Sequence, residues 1–159
     1  MALLPRNSLK IVSGGQTGAD RAALDFAIEH GIPHGGWCPK GRLAEDGPLS
    51  DQYNLEETPS AEYLQRTEFN IRDSDGTVIF TVSKSLAGGS LKTALFAQKL
   101  GKPCLHLSRD RRQPTARSAL QRFLQDNQIR VLNVAGPRAS EEPEVGAFVK
   151  RVLEEALIL

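Results

Sequence analysis

The sequence predicts an α/β protein: a single domain over residues 1–159 in which a doubly wound, mainly parallel sheet carries helices on both faces. Three observations lead there. Short β-rich runs alternate with segments of helical period, the pattern of a parallel sheet covered on both sides. Three of those runs end in glycine, within SGGQTGADR (13–21), LAGGSLKT (86–93) and NVAGPR (133–138), as tight turns at strand ends require. The length of 159 residues, with 40% hydrophobic and 25% charged content, suits one buried core.

Residues 9–13 read as the first strand, closed by Gly14 and Gly15. In the following helix, Ala19–Glu29, Asp20, Arg21, Asp25 and Glu29 share one arc, and Ala23, Leu24, Phe26, Ala27 and Ile28 the other. Residues 31–59 are rich in Gly and Pro and predict short strands around a long functional loop. Ser60 is the expected N-cap of a helix reaching about Arg72, and TVIFTV (77–82) reads as a fully buried central strand. Gly88 and Gly89 open a helix that stops at Gly101, ahead of Pro103. Residues 104–107 form the next expected strand, with Cys104 as a small core residue. Pro114 starts a helix with Ala116, Leu120, Phe123 and Leu124 on one face, and residues 131–135 are the last strand. The terminal helix spaces Val145, Phe148, Val149, Val152, Leu153, Ala156 and Leu157 as a single core-facing stripe.

Composition excludes several classes. Twenty Lys and Arg against nineteen Asp and Glu leave a net charge of +1, so no global field calls for nucleic acid or an anionic membrane, and any basic site is local. The opening MALLPRNSLK lacks the apolar run of a signal peptide, and no stretch approaches the roughly 18 apolar residues of a membrane span. A cytoplasmic protein is expected. Cys38 and Cys104 each adjoin a proline and suit reduced thiols; with three scattered histidines they make no metal signature, so no direct protein–metal site is expected.

In a doubly wound sheet the strand ends share one edge, and ligands bind in the crevice outside the carboxyl ends. Gly14, Gly15, Gln16, Thr17 and Gly18 should therefore meet Gly88, Gly89, Ser90, Thr93 and Gly136. Helix N-termini there leave N–H groups and partial positive charge facing an anion. Thr17, Ser90 and Thr93 can donate to phosphate oxygens or serve as plain caps. A phosphorylated, nucleotide-like small molecule is the natural guest. NAD is disfavoured, because Ser13 replaces the first glycine of G-x-G-x-x-G and no acidic residue closes a clear second strand; neither turn reads as a Walker motif.

Lys40, Gly41 and Arg42 form a basic loop suited to a second phosphate, against the plainer reading of solvated surface charge. Trp37 can stack on a ligand ring or simply join the core. Tyr63, Arg66, Thr67 and Asn70 fall at i, i+3, i+4 and i+7, a polar stripe that either lines a pocket or pairs with the turn at 73–75. Arg21 and Arg138 are further anion contacts, although Arg21 can instead pair with Asp25. If the protein is an enzyme, Asp20, Glu45 and Asp46 are the candidate carboxylates.

The stretches SGGQTGADRAALDFA, GWCPKGRLAEDG, the Y-x-x-R-T-x-x-N stripe with SDGTVIF, GGSLKT followed by GKP, and NVAGPR span nearly the whole chain. Together they resemble the putative molybdenum carrier family, also grouped as circularly permuted YpsA-like members of the SMF/DprA and LOG (SLOG) nucleotide-binding superfamily. The resemblance implies a Rossmann-like fold, a homo-oligomer (dimer or tetramer), and a strand-end pocket for the pterin and phosphate of molybdenum cofactor (molybdopterin). The same superfamily contains enzymes that remove the base from nucleoside monophosphates, with a P-G-G-x-G-T-x-x-E motif whose glutamate is catalytic. Here residues 87–93 hold one extra residue between the glycines and Thr93, and Phe96 stands where that glutamate would be. The expectation is a carrier for a pterin or nucleotide-like ligand, with a nucleotide or phosphoribosyl hydrolase as the alternative.

Overall fold

The computed structural model describes residues 8–158. Residues 1–7, which include most of the stretch read above as lacking a signal peptide, lie outside the described residues. The elements run β1 (Lys10–Val12), α1 (Ala19–Glu29), β2 (His34–Gly35), β3 (Trp37–Cys38), β4 (Leu43–Ala44), β5 (Gly47–Pro48), β6 (Glu56–Glu57), α2 (Tyr63–Arg72), β7 (Gly76–Thr81), α3 (Gly88–Lys99), β8 (Cys104–Ser108), α4 (Ala116–Asp126), β9 (Val131–Ala135) and α5 (Val145–Leu157). Five strands make a central sheet in the order β2-β1-β9-β7-β8, parallel throughout. The Gly- and Pro-rich stretch folds into small pairings beside it, β3 with β6 and β4 with β5.

The sheet's two faces are built from opposite chemistry. Period-two alternation sends Val78 and Phe80 of β7, with Leu132 and Val134 of β9, into the core under α1, α4 and α5. There the α5 stripe packs as its spacing predicts, with Val145, Phe148, Val149, Val152, Leu153 and Ala156 all buried. Each of the Val, Leu and Phe side chains contributes about 1.5–3 kcal/mol by leaving water, and Phe80 meets Phe148 edge-on with centroids 5.6 Å apart. Thr77, Ile79 and Thr81 alternate onto the other face, and Asn133 Nδ2 donates to Thr77 Oγ1 at 3.1 Å. That half-polar face lies under α2 and α3. In α3 the usual arrangement is inverted: Ser90 and Thr93 are buried, whereas Leu91 and Leu95 are 43% and 55% exposed.

Several boundaries differ from the sequence reading, each for a local reason. Helix α2 begins at Tyr63 rather than at a Ser60 cap; Glu62 is its extended N-cap, and Ser60 Oγ accepts from the Glu62 N–H at 3.0 Å outside the helix. Helix α4 starts at Ala116, not Pro114, because Thr115 Oγ1 caps the Ser118 N–H. Strands β1, β7 and β8 are shifted by a residue at their ends. Cys104 is exposed, not a core residue, because β8 is the sheet's edge strand. No helix among the described residues is long and apolar enough to cross a membrane.

Candidate ligand-binding site

A cavity of about 710 Å³ opens at the carboxyl edge of the sheet, between the end of β9 and helices α2 and α3. Its size falls within the roughly 300–1,000 Å³ of small-molecule sites. The α2 wall is the polar stripe: Tyr63, Arg66, Thr67 and Asn70 all line it. Helix α3 contributes Gly89, Ser90, Lys92 and Thr93, and the segment after β9 brings Gly136, Arg138 and Glu141. Gly14, Gln16 and Asp20 reach it from the first turn.

Arg66 organises this wall. Its Nη1 lies 3.0 Å from Oδ2 of the buried Asp20, which also accepts from the Gln16 N–H at 3.3 Å. Gly14 makes this crossing possible, since a Cβ there would overlap the Arg66 guanidinium. Burial pushes the Asp20 carboxyl above the ordinary carboxylate range, against the pull of Arg66. Arg66 Nε is buried and has no acceptor among the described residues. An unsatisfied buried donor costs about 1–3 kcal/mol, so Arg66 is held in this position at a cost to the fold. The Tyr63 ring lies within cation–π reach of both Arg66 and Arg138, at 5.7 and 5.9 Å from its centroid. Arg138 also pairs with Glu141 at 3.2 Å.

The two glycine turns, alike in sequence, are not equivalent. Donors of the first turn are already bonded within the protein: Ala19 N–H to the Pro137 carbonyl at 3.2 Å, Arg21 N–H to the Gln16 carbonyl at 2.9 Å, and Thr17 N–H to Gln16 Oε1 at 3.0 Å. Thr17 Oγ1 donates to Glu45 and accepts from the Ala139 N–H. Glu45 in turn accepts from Ser140 Oγ at 2.6 Å, and these hydroxyls hold its carboxyl below the usual range. Arg21 donates to the Gly15 carbonyl and to both oxygens of Asp46, which it likewise holds low. It does not pair with Asp25, whose carboxylate accepts from the Tyr53 hydroxyl at 2.5 Å. At the second turn α3 starts without a side-chain cap, and a Cβ on Gly88 or Gly89 would meet nothing. Among the described residues the N–H groups of Gly88, Gly89 and Ser90 have no acceptor.

Several expected site residues stand apart from the cavity. Gly15, Thr17, Gly18 and Arg21 lie outside its lining, within the packed first turn, and Gly88 is set back at the start of α3. Lys40, Gly41 and Arg42 belong to a separate loop. There Arg42 donates to the carbonyls of Ser50, Tyr53 and Leu55 at 3.0–3.2 Å, holding the 50–55 segment, and the Gly41 N–H donates to Glu57. Glu45 and Asp46 face the first turn from outside, so Asp20 is the one candidate carboxylate of the three on the cavity wall. Trp37 Nε1 donates to Asp73 at 2.9 Å and its ring meets Phe69 edge-on, away from the lining. Sequence reasoning missed Lys92, Asn133 and Glu141 as lining residues. The signal for Lys92 is its place in GGSLKT between Ser90 and Thr93. Thr93 Oγ1 donates to the Gly89 carbonyl at 2.9 Å, bracing the first turn of α3. Among the described residues no group of three or more His, Cys, Asp or Glu is placed to hold a metal ion.

The circularly permutated YpsA SLOG family matches residues 11–157. Among solved structures, the putative molybdenum carrier protein from Syntrophus aciditrophicus SB is 49% identical, with 96% of each chain covered and a TM-score of 0.89. No curated protein matches the sequence.

Proposed function

The chain belongs to the circularly permutated YpsA SLOG family, and on that premise we propose that it is a carrier, holding a phosphorylated pterin or nucleotide-like molecule in the α2–α3 cavity. The observation that carries this proposal is that the open start of α3 and the cationic side chains of Arg66, Lys92 and Arg138 line one small-molecule-sized space. Gly89, Ser90 and Lys92 would take the phosphate, where helix N-terminus and ammonium add their charge. Tyr63, Arg66 and Arg138 would take the ring system. The relative from Syntrophus aciditrophicus SB, by its name, supports molybdenum cofactor as the cargo. The residues present suit that group: the cavity offers cations and donors for its pterin and phosphate, and the metal is held by the cofactor's own sulfurs. A cytoplasmic location and a homo-oligomer are part of the same proposal; the exposed Leu64, Leu91 and Leu95 on α2 and α3 support the oligomer, and light scattering after size exclusion tests it.

A thermal-shift screen of phosphorylated pterins and nucleotides checks the ligand. At 100 times its dissociation constant a true ligand adds about 2.7 kcal/mol of stability, and Lys92→Ala with Arg138→Ala should reduce that shift without lowering the ligand-free Tm. A flat response to every phosphorylated compound overturns the carrier assignment.

A second possibility rests on Asp20, a carboxylate on the cavity wall held above its ordinary range by burial. In a nucleotide or phosphoribosyl hydrolase it would act as the acid or base. Release of free base from a nucleoside monophosphate, abolished by Asp20→Asn and kept by Glu45→Gln and Asp46→Asn, would establish it; intact nucleotide after prolonged incubation would dismiss it.

A further inference from the structure

A second large concavity, of about 890 Å³, lies beyond the end of β8, and its wall is basic. Lys84, Arg109, Arg111, Arg112, Arg117 and Arg151 line it, against the carboxylates of Asp110 and Glu155. In a chain with a net charge of only +1, six cations facing two anions is a local concentration of charge. Part of it is neutralised: Arg109 pairs with Glu144 at 2.7 Å, and Arg151 reaches Glu155 at 3.8 Å. Lys84, Arg111, Arg112 and Arg117 have no carboxylate within 4.0 Å among the described residues. Arg111 instead donates to the Lys84 carbonyl at 3.1 Å, which holds the two loops together and leaves its charge uncompensated. Buried Phe148 and Val152 form the floor, and a concave, low-dielectric wall of one sign focuses its field on whatever enters.

We propose that this cavity is a second ligand site, selective for a polyphosphate group. The uncompensated cations come from three places, the segment after β7, the loop after β8 and the first turn of α4. A ligand that reaches all of them must itself carry several charges along its length, which a diphosphate or triphosphate chain does and a single phosphate does not. Arginine forks suit phosphate oxygens. The lining's one aromatic ring, Phe148, is packed against Phe80 in the core, so a nucleobase has no free face to stack on. The site therefore reads phosphates and ignores the base. It shares no residue with the α2–α3 cavity.

Calorimetric titration of the full chain with inorganic triphosphate, ATP and a single-stranded oligonucleotide tests this. Triphosphate and ATP should bind this site with similar affinity that falls as salt rises. Replacing the exposed pair, Arg112→Ser with Arg117→Ser, should weaken triphosphate by about tenfold or more, with circular dichroism and Tm unchanged. Lys92→Ala, in the other cavity, should leave intact the component of triphosphate binding that the Arg112→Ser, Arg117→Ser pair removes, so the two sites succeed or fail separately. Absence of triphosphate binding, loss of it through Lys92→Ala alone, a strong dependence on the base, or binding of the oligonucleotide without triphosphate would each overturn the assignment.

Discussion

The turns at residues 14–18 and 88–90 both read as glycine hinges between a strand and a helix, yet their glycines answer to different demands. At the first, neighbouring chain presses against the glycines. Gly18 has φ +83, and a Cβ on it would stand 2.5 Å from the Pro137 carbonyl; Gly14 lets Arg66 cross to Asp20. At the second, nothing approaches Gly88 or Gly89, and the helix end is open to the cavity. A glycine motif thus marks either a place where protein must come close or a place where a ligand can. Only the surroundings of the missing Cβ separate the two.

The sharpest way to break this contrast is to remove what the first turn accommodates. Arg66→Ala leaves Asp20 buried without its partner and should cost about 3–5 kcal/mol in chemical denaturation; adding Asp20→Asn should recover part of that loss. Gly18→Ala combines a disfavoured φ with overlap on the Pro137 carbonyl and should cost roughly 2–4 kcal/mol by the same measurement. Gly89→Ala should behave oppositely, raising stability by about 0.4–1 kcal/mol through a stiffer unfolded chain and a better helix former, while weakening the thermal shift given by any phosphorylated ligand. A Gly89→Ala loss as large as that of Gly18→Ala would erase the distinction.

The smallest expected effect concerns acid. Glu45 and Asp46 have carboxyls held below their ordinary range by Ser140, Thr17 and Arg21. A carboxyl lowered in the folded state contributes fully above its unfolded value and loses that contribution as the pH falls through the folded one. Acidification below the ordinary carboxylate range should therefore loosen the first turn and leave the second untouched. Hydrogen exchange at the Ala139 and Ser140 amides should show it, and Glu45→Gln should flatten the response.

What the sequence made legible follows from periodicity. The α5 stripe and the α2 polar stripe could be placed because a helix fixes which residues share a face, and both lie where their spacing puts them. Lys40 and Arg42 stand in a Gly- and Pro-rich stretch with no period, so nothing in the sequence distinguished a ligand-facing arginine from one bonded to three loop carbonyls. Cys104 was misplaced for a topological reason: an apolar run does not say whether its strand is central or at an edge. Asn133 was hidden within a strand whose burial conceals that one of its faces borders the cavity.

The position of β9 bears on how the molecule is assembled during synthesis. It is the last strand in the sequence, yet it lies between β1 and β7 and hydrogen-bonds to both. A nascent chain emerging N-terminus first can pair β1 with β2 and β7 with β8, but these remain two separate ribbons until residue 135 has been made. Each ribbon presents an unpaired inner edge while it waits, the kind of edge that invites association with other chains. Closing the sheet is also the step that brings Gly14 and Arg138 to one wall, so the α2–α3 cavity comes into being all at once, and only after β9 has taken its place between the two ribbons.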